Sequence, residues 1–167
     1  MNCTFQPLTE ADRHTVIDLF NYYVKNSFAA YPEKPMPYAM FDYFLTLSKS
    51  YPVLTMKTFS GDMLGFGLLR PHQPMETFSH TAEIAYFLHP DQTGKGYGKA
   101  LLDLLEDEAR KRHITTLLAT ISSLNPESLR FHCKHGFVEC GRLSDVGKKK
   151  GCYFDTVWMQ KKLPPPA

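Results

Sequence analysis

Three glycines and one carboxylate are the residues of this sequence with the clearest chemical potential. Gly94, Gly96 and Gly98 fall in Thr93-Gly94-Lys95-Gly96-Tyr97-Gly98-Lys99, between an apolar extended run over 81–88 and a helical pattern in which Leu101, Leu104, Leu105 and Ala109 recur at three- and four-residue spacing. Successive N–H groups at a helix N-terminus, with no Cβ to block approach, form an anion site, so the expected ligand carries phosphate. The plainer alternative is a glycine turn with no ligand. In the same extended run, Glu83 interrupts an apolar stretch, and strand alternation puts it on one face with Ala85 and Phe87. A carboxylate there faces a cleft, where it could act as a base, or pairs with a cation across the sheet.

Spacing decides which phosphate ligand fits. A P-loop needs GxxxxGK followed by Ser or Thr, whereas Lys99 is followed by Ala100 and Thr93 stands five residues before Gly98. A dinucleotide fingerprint needs GxGxxG near the start of a βαβ chain, and this loop reads GxGxG in mid-chain. With its flanks His89-Pro90-Asp91 and Lys99-Ala100-Leu101-Leu102, the loop resembles the acetyl-CoA loop of the GNAT N-acetyltransferases, with Thr93 where Arg or Gln is usual. The resemblance implies backbone donors from Thr93 to Lys99 on the cofactor's pyrophosphate.

Composition agrees with an ordinary enzyme domain. The 167 residues are expected to form one domain, 1–167, large enough for a full core. Apolar residues make up 43% and charged residues 22%, and a net charge of +2 argues against a nucleic-acid partner. There is no run of eighteen apolar residues, and MNCTFQPL has neither a basic region nor an apolar core, so no membrane span or signal peptide is expected and the reading is cytoplasmic. Cys3, Cys133, Cys140 and Cys152 have no CxxC or zinc spacing and read as reduced thiols, so no metal is expected.

The elements that must position these residues follow in order. Cys3 to Pro7 reads as a strand, and Thr9 opens a helix whose stripe is Val16, Ile17, Phe20, Tyr23 and Val24. Ser27 to Tyr38, with Pro32, Pro35 and Pro37, reads as a loop that connects two helices or lines a pocket with Phe28, Tyr31 and Glu33. Met40 to Leu47 is helical. Tyr51 to Phe59 and Met63 to Leu69 form a hairpin, with Gly65 and Gly67 marking a bulge or a close backbone approach. After the strand, glycine loop and helix, Thr115 to Ile121 is a buried strand reached by a crossover, hence parallel to a neighbour. Asn125-Pro126 caps a helix that Gly136 stops. Phe137 to Leu143 and Cys152 to Lys161 are the last strands, around a lysine-bearing loop, 145–151, expected to be solvated. Pro164 to Pro166 reads as an extended tail.

This α/β order is similar to the whole GNAT (acyl-CoA N-acyltransferase) fold: a mixed, mostly antiparallel central sheet with a splayed parallel pair and flanking helices. A narrower resemblance lies in the C-terminal third. Asn125-Pro126-Glu127-Ser128, Phe131 to Phe137, Val146-Gly147, Gly151 and Phe154 to Gln160 resemble the phosphinothricin and methionine sulfoximine N-acetyltransferases, as do Phe20 to Val24 followed by Glu33 and Pro35. That resemblance implies acetyl-CoA as donor, a small amine as acceptor, direct transfer, and Glu83 as base. It also implies His132 where many relatives carry the acid that protonates the departing thiolate. Backbone groups of Tyr86, Phe87 and Leu88 are expected along the pantetheine, with Asn125 and Ser128 near its arm. Arg70 stands in the segment that holds an acceptor carboxylate in some members, and dimers are common in the family. Cys133 is a poor nucleophile for His132, because adjacent helical residues point about 100° apart. Two other readings are a protein or peptide N-acetyltransferase, and a non-catalytic acyl-CoA sensor.

Overall fold

The computed structural model describes residues 3–164. The expected tail therefore lies, beyond Pro164, outside the described residues. Seven strands form one sheet: β1 (Thr4–Pro7), β2 (Val53–Lys57), β3 (Met63–Pro71), β4 (Thr81–Leu88), β5 (Thr116–Ser122), β6 (Val138–Lys149) and β7 (Cys152–Lys162), in the spatial order β1-β2-β3-β4-β5-β7-β6. Four helices accompany them: α1 (Arg13–Asn26), α2 (Phe41–Leu47), α3 (Tyr97–Lys111) and α4 (Pro126–Lys134). Every neighbouring pair of strands is antiparallel except β4 and β5, whose crossover through α3 makes them parallel.

Each face of the sheet has its own core. Val16, Ile17 and Leu19 of α1 and Phe41, Phe44 and Leu47 of α2 bury against Val53, Phe66 and Leu68, with Phe20, Tyr23, Ala85 and Phe87 packed alongside. On the opposite face, Leu101, Leu102, Leu105 and Ala109 of α3 pack on Leu69, Ala82, Ile84, Leu117 and Val157. Each fully buried leucine contributes about 1.5–3 kcal/mol to this layer. Gly65 and Gly67 mark a close approach, and a bulge lies beside Gly65. A Cβ at Gly65 would lie 2.7 Å from the Phe87 carbonyl oxygen, and one at Gly67 would lie 2.8 Å from a Leu105 methyl. Across from Met56 and Lys57 the partner steps from Gly65 to Met63, which leaves Leu64 as the extra residue of β3.

The parallel ladder is short. Thr81, Ala82 and Glu83 pair with Thr116, Leu117 and Leu118. From Ile84 onward β4 has no strand partner on that side, so the two strands diverge, as the GNAT resemblance implies.

The last hairpin corrects one expectation. The segment read as a solvated loop at 145–151 is mostly strand: β6 continues to Lys149, turns at Lys150-Gly151, and carries a register irregularity between Leu143 and Gly147. Lys149 is not solvated, because only 1% of its surface is exposed. Its ammonium donates to the carbonyls of Ser27 (2.8 Å) and Ala30 (2.6 Å), which offsets the cost of burying it.

Candidate active site

The glycine loop is built by local rules. A single turn over Pro90–Gln92 leads into extended Thr93, and Gly94 (φ 74°) and Gly96 (φ 86°) adopt left-handed backbone that a side chain would strain. Gly96 then caps α3 from outside. Among the described residues, the N–H groups of 94–99 donate to no protein acceptor, and the next amide, Ala100, is the first to close a helical turn, on the Gly96 carbonyl at 3.2 Å. Those donors are the unsatisfied N-terminus of a fifteen-residue helix and fit an anionic ligand. Thr93 departs from the expected run of donors, because both its backbone N–H (3.4 Å) and its hydroxyl (3.0 Å) donate to the Pro90 carbonyl, so the free amides begin at Gly94. The Lys99 ammonium is held by Asp103 at 2.5 Å, and that of Lys95 by Gln92 at 3.2 Å.

A cavity of about 700 Å³ runs from this loop into the gap between β4 and β5. It is lined by Thr93, Gly94, Gly96, Gly98 and Lys99, by Tyr86, Phe87 and Leu88 on one strand and Ala119 to Ser122 on the other, and by Asn125, Ser128 and His132. Tyr23, Ser27 and Ala29 also line it, so the gap opens toward the α1 face as well as the α4 face. Lys95 and Tyr97 belong to the same loop but lie outside the cavity wall. Leu88's carbonyl already accepts from the Tyr23 hydroxyl at 2.7 Å. Burial pushes that phenol up to about 12. Tyr23, which reads in the sequence as one more residue of an apolar helical stripe, therefore also fixes the end of β4.

Around His132 the hydrogen bonds settle the roles of its two nitrogens. Nδ1 lies 2.8 Å from the Ser128 carbonyl oxygen, which can only accept, so Nδ1 carries the proton. Nε2 is then an acceptor, and it receives the Tyr86 hydroxyl at 2.7 Å. Asn125 caps α4 by accepting from the Ser128 amide at 3.3 Å. Burial lowers the His132 pKa, with the Ser128 carbonyl opposing and His135 adding to the shift. Burial raises that of Tyr86, and Glu106 adds to it. A neutral imidazole whose N–H is committed to a carbonyl has no proton of its own to offer the cavity. This geometry does not supply the acid role expected for His132. Cys133, next on the helix, is exposed.

Glu83 sits at the last β4–β5 pair, at the point where the gap begins. It shares the α1 face with Ala85 and Phe87, as alternation implies. Its side chain is only 14% exposed, and both oxygens are engaged. Oε2 accepts from Arg70 Nε at 2.9 Å and Nη2 at 2.6 Å, and Oε1 lies 3.0 Å from His72 Nδ1. Arg70 is the residue directly across the β3–β4 ladder. The carboxylate pairs with a cation across the sheet, one of the two roles the sequence left open; the cavity wall on β4 starts at the next residue, Ile84. His72 was not singled out from the sequence, where it is one residue of a proline-broken loop. The strand register brings it to Glu83, and Trp158 packs edge-on against its ring at 5.8 Å.

The loop after α1 stands over this region. Tyr31 stacks on Phe154 at 5.7 Å and Phe28 meets the same ring edge-on at 6.1 Å. The Tyr31 phenol is raised by burial, with Thr120 and Thr156 as hydrogen-bonding neighbours that oppose the shift, and it feels the charges of Arg70 and Glu83. Glu33 departs from expectation. Its carboxylate accepts from the Lys150 backbone N–H at 3.1 and 3.2 Å, so it braces the loop against the hairpin and does not face an acceptor. Among the described residues no group of three His, Cys, Asp or Glu side chains converges as a metal site would, and no helix is long and apolar enough to cross a membrane.

Comparison with known proteins extends this picture. The model of the acetyltransferase (GNAT) family matches residues 16–137. The L-methionine sulfoximine/L-methionine sulfone acetyltransferase of Pseudomonas aeruginosa is 31% identical over 99% of this chain and 97% of its own length. Among solved structures, a phosphinothricin acetyltransferase from Sinorhizobium meliloti in complex with AcCoA superposes with a TM-score of 0.91 at 28% identity, covering 98% of this chain and 89% of that one. A ribosomal-protein-alanine N-acetyltransferase from Brucella melitensis superposes at 0.88 with 32% identity, over 96% and 99% of the two chains.

Proposed function

The chain belongs to the acetyltransferase (GNAT) family, and from that premise we propose that it moves the acetyl group of acetyl-CoA to the α-amino group of a small amino acid or amino-acid analogue, of the methionine sulfoximine or phosphinothricin kind. The observation that carries this reading is that two features stand at the two ends of one gap. Free amides at 94–99 open onto a gap in the sheet, and the gap begins at Glu83. The residues present fit the donor. The loop amides take its diphosphate, the open edges of β4 and β5 run beside its amide-bearing arm, and Asn125 and Ser128 line the far wall. Acetyl-CoA supplies an activated acyl group at the end of that gap.

The acceptor binds by exchange of ion pairs. Before it enters, Arg70 and His72 satisfy the Glu83 carboxylate, which avoids an unpaired charge in a half-buried site. A zwitterionic amino acid can insert into the Arg70–Glu83 pair, placing its carboxylate on the 45%-exposed Arg70 and its ammonium on Glu83. An amine attacks a thioester only as the free base, and the ammonium nitrogen sheds two protons in becoming an amide. One passes to Glu83, and the other ends on the departing thiol. His72 holds Glu83 in line. His132 holds the Tyr86 hydroxyl and so the inner wall of the gap, a positioning role instead of the acid role. Phe28 and Tyr31 roof the acceptor.

We take 1–167 as one domain, since one sheet includes strands from both halves of the chain, and the protein as cytoplasmic, in keeping with four unpaired cysteines. A homodimer is part of the reading. Exposed Val138, Leu143 and Val146 on the edge strand β6, with Tyr153 beside them, support it.

Incubation with acetyl-CoA and, in turn, L-methionine sulfone, ordinary L-amino acids, a polyamine and a peptide with N-terminal alanine, while free thiol is followed, tests the proposal. Thiol release with the amino acids is expected. Release only with the peptide would favour protein acetylation, and release with none would favour an acyl-CoA sensor.

A further inference from the structure

Lys149 is a buried cation that the transfer reaction does not use, and its surroundings give it a task. Its ammonium bridges the Ser27 and Ala30 carbonyls across more than a hundred residues of sequence. Two further contacts join the same hairpin to the same loop. The Lys150 backbone N–H rests on the Glu33 carboxylate, and the Lys150 ammonium donates to the Lys25 carbonyl. The Phe154 ring lies on β6 so closely that a Cβ at Gly147 would come within 2.2 Å of it, and Tyr31 stacks on that ring. At the other end of the loop, the Asn21 side chain holds both the N–H (2.7 Å) and the carbonyl (2.9 Å) of Met36. The segment between, which carries Phe28 and Tyr31, is therefore tied at its start by Lys149 and at its end by Asn21.

We propose that Lys149 is a positioning residue for the acceptor side: it fixes the 27–35 segment so that Phe28 and Tyr31 stand over Glu83 and set the fit of the amine. This rests on the reading of that loop as the acceptor's roof. A buried ammonium suits the task because two backbone carbonyls facing one point inside the protein need a donor with more than one N–H, and lysine brings three on a long stem. Without it both carbonyls would be left without a partner, and the segment would open to water. Ser27 also lines the cavity, but the glycine loop and α4 take no part in the clamp, so its loss should be felt chiefly by the acceptor and far less by acetyl-CoA.

Lys149→Met keeps the length of the stem and removes the donor. Hydrogen exchange of the full chain, read by mass spectrometry without substrate, should show the amides of 27–36 exchanging about tenfold faster or more, with those of 81–88 unchanged. In steady state with L-methionine sulfone, KM for the acceptor should rise by about tenfold while KM for acetyl-CoA stays within about twofold. Should Lys149→Met fail to fold, Glu33→Gln weakens the neighbouring contact at an exposed position and is expected to loosen the same peptides. Unchanged exchange at 27–36 in the folded variant would overturn the proposal, as would faster exchange with an unaltered acceptor KM. Because exchange needs no substrate, a wild-type protein inactive toward every amine would overturn the transfer reading and the acceptor role together, while exchange would still report whether the clamp exists.

Discussion

Replacing Glu83 by glutamine separates the proton from the shape of the site. The carboxylate's two oxygens serve different neighbours, Oε2 the Arg70 fork and Oε1 the His72 ring. A glutamine can keep its oxygen toward Arg70 and turn its NH2 toward His72 Nδ1, which then accepts instead of donating. All three side chains stay where they are, and only the ability to take a proton is lost. Stability should change little. Arg70 is 45% exposed, and pairs in such positions contribute about 0–1 kcal/mol. That corresponds to a shift of no more than about 4 °C in the thermal midpoint of a chain this long. Turnover should fall by about 10²-fold or more at neutral pH, or roughly 2.7 kcal/mol of barrier for each 10². Initial rates of thiol release measure the first quantity, and calorimetric titration with acetyl-CoA should show an affinity within about twofold of wild type. Turnover above about a tenth of wild type would remove Glu83 from the proton's path. A matching loss of acetyl-CoA affinity would place its carboxylate in the donor site instead.

The other expectations concern the loop, the buried histidine and the hairpin. Gly96→Asp puts a side chain at φ 86° and a negative charge beside the free amides, so calorimetry should detect no acetyl-CoA binding while circular dichroism stays that of the wild type. Burial holds the His132 pKa below its unfolded value near 6.5, so below that pH the unfolded chain takes up a proton the folded one refuses. Stability is therefore full above about pH 6.5 and declines as pH falls through the folded pKa, and His132→Asn should flatten this decline by up to about 1.4 kcal/mol per pH unit, read from thermal midpoints across a pH series. Gly147→Ala forces a methyl into the Phe154 ring, and should lower stability by about 1–3 kcal/mol and raise the acceptor KM with little effect on that of acetyl-CoA.

Much of the donor side is legible in the sequence because its signals are local. Gly94 and Gly96 announce left-handed backbone, Asn125-Pro126 announces a helix start, and the apolar spacing after Gly98 announces the helix that aims its amides at the loop. The acceptor side is assembled by register, which one sequence does not display. His72 meets Glu83 because β3 and β4 pair Arg70 with Glu83, and Thr120 stands opposite Trp158 because β5 pairs with β7. The roles of the His132 nitrogens depend on the Ser128 carbonyl one turn back on α4 and on a Tyr86 hydroxyl that only the packing of α4 against β4 brings into reach. Of the three consecutive lysines, Lys148 and Lys150 are exposed as expected, and Lys149 alone misled, for a related reason. A charge run is usually solvated, and no local pattern shows that Lys149 points at two carbonyls more than a hundred residues away.

The brevity of the β4–β5 ladder has a thermodynamic side. Three residue pairs stitch the first four strands to the last three, and beyond them each half of the sheet ends in an open margin. A donor lying along that margin completes the seam, so part of its binding energy becomes cohesion of the protein itself. Heat resistance should accordingly climb with the logarithm of acetyl-CoA concentration once the site is mostly filled. With the seam left undone, its flanking amides should be among the first in the sheet to exchange with solvent.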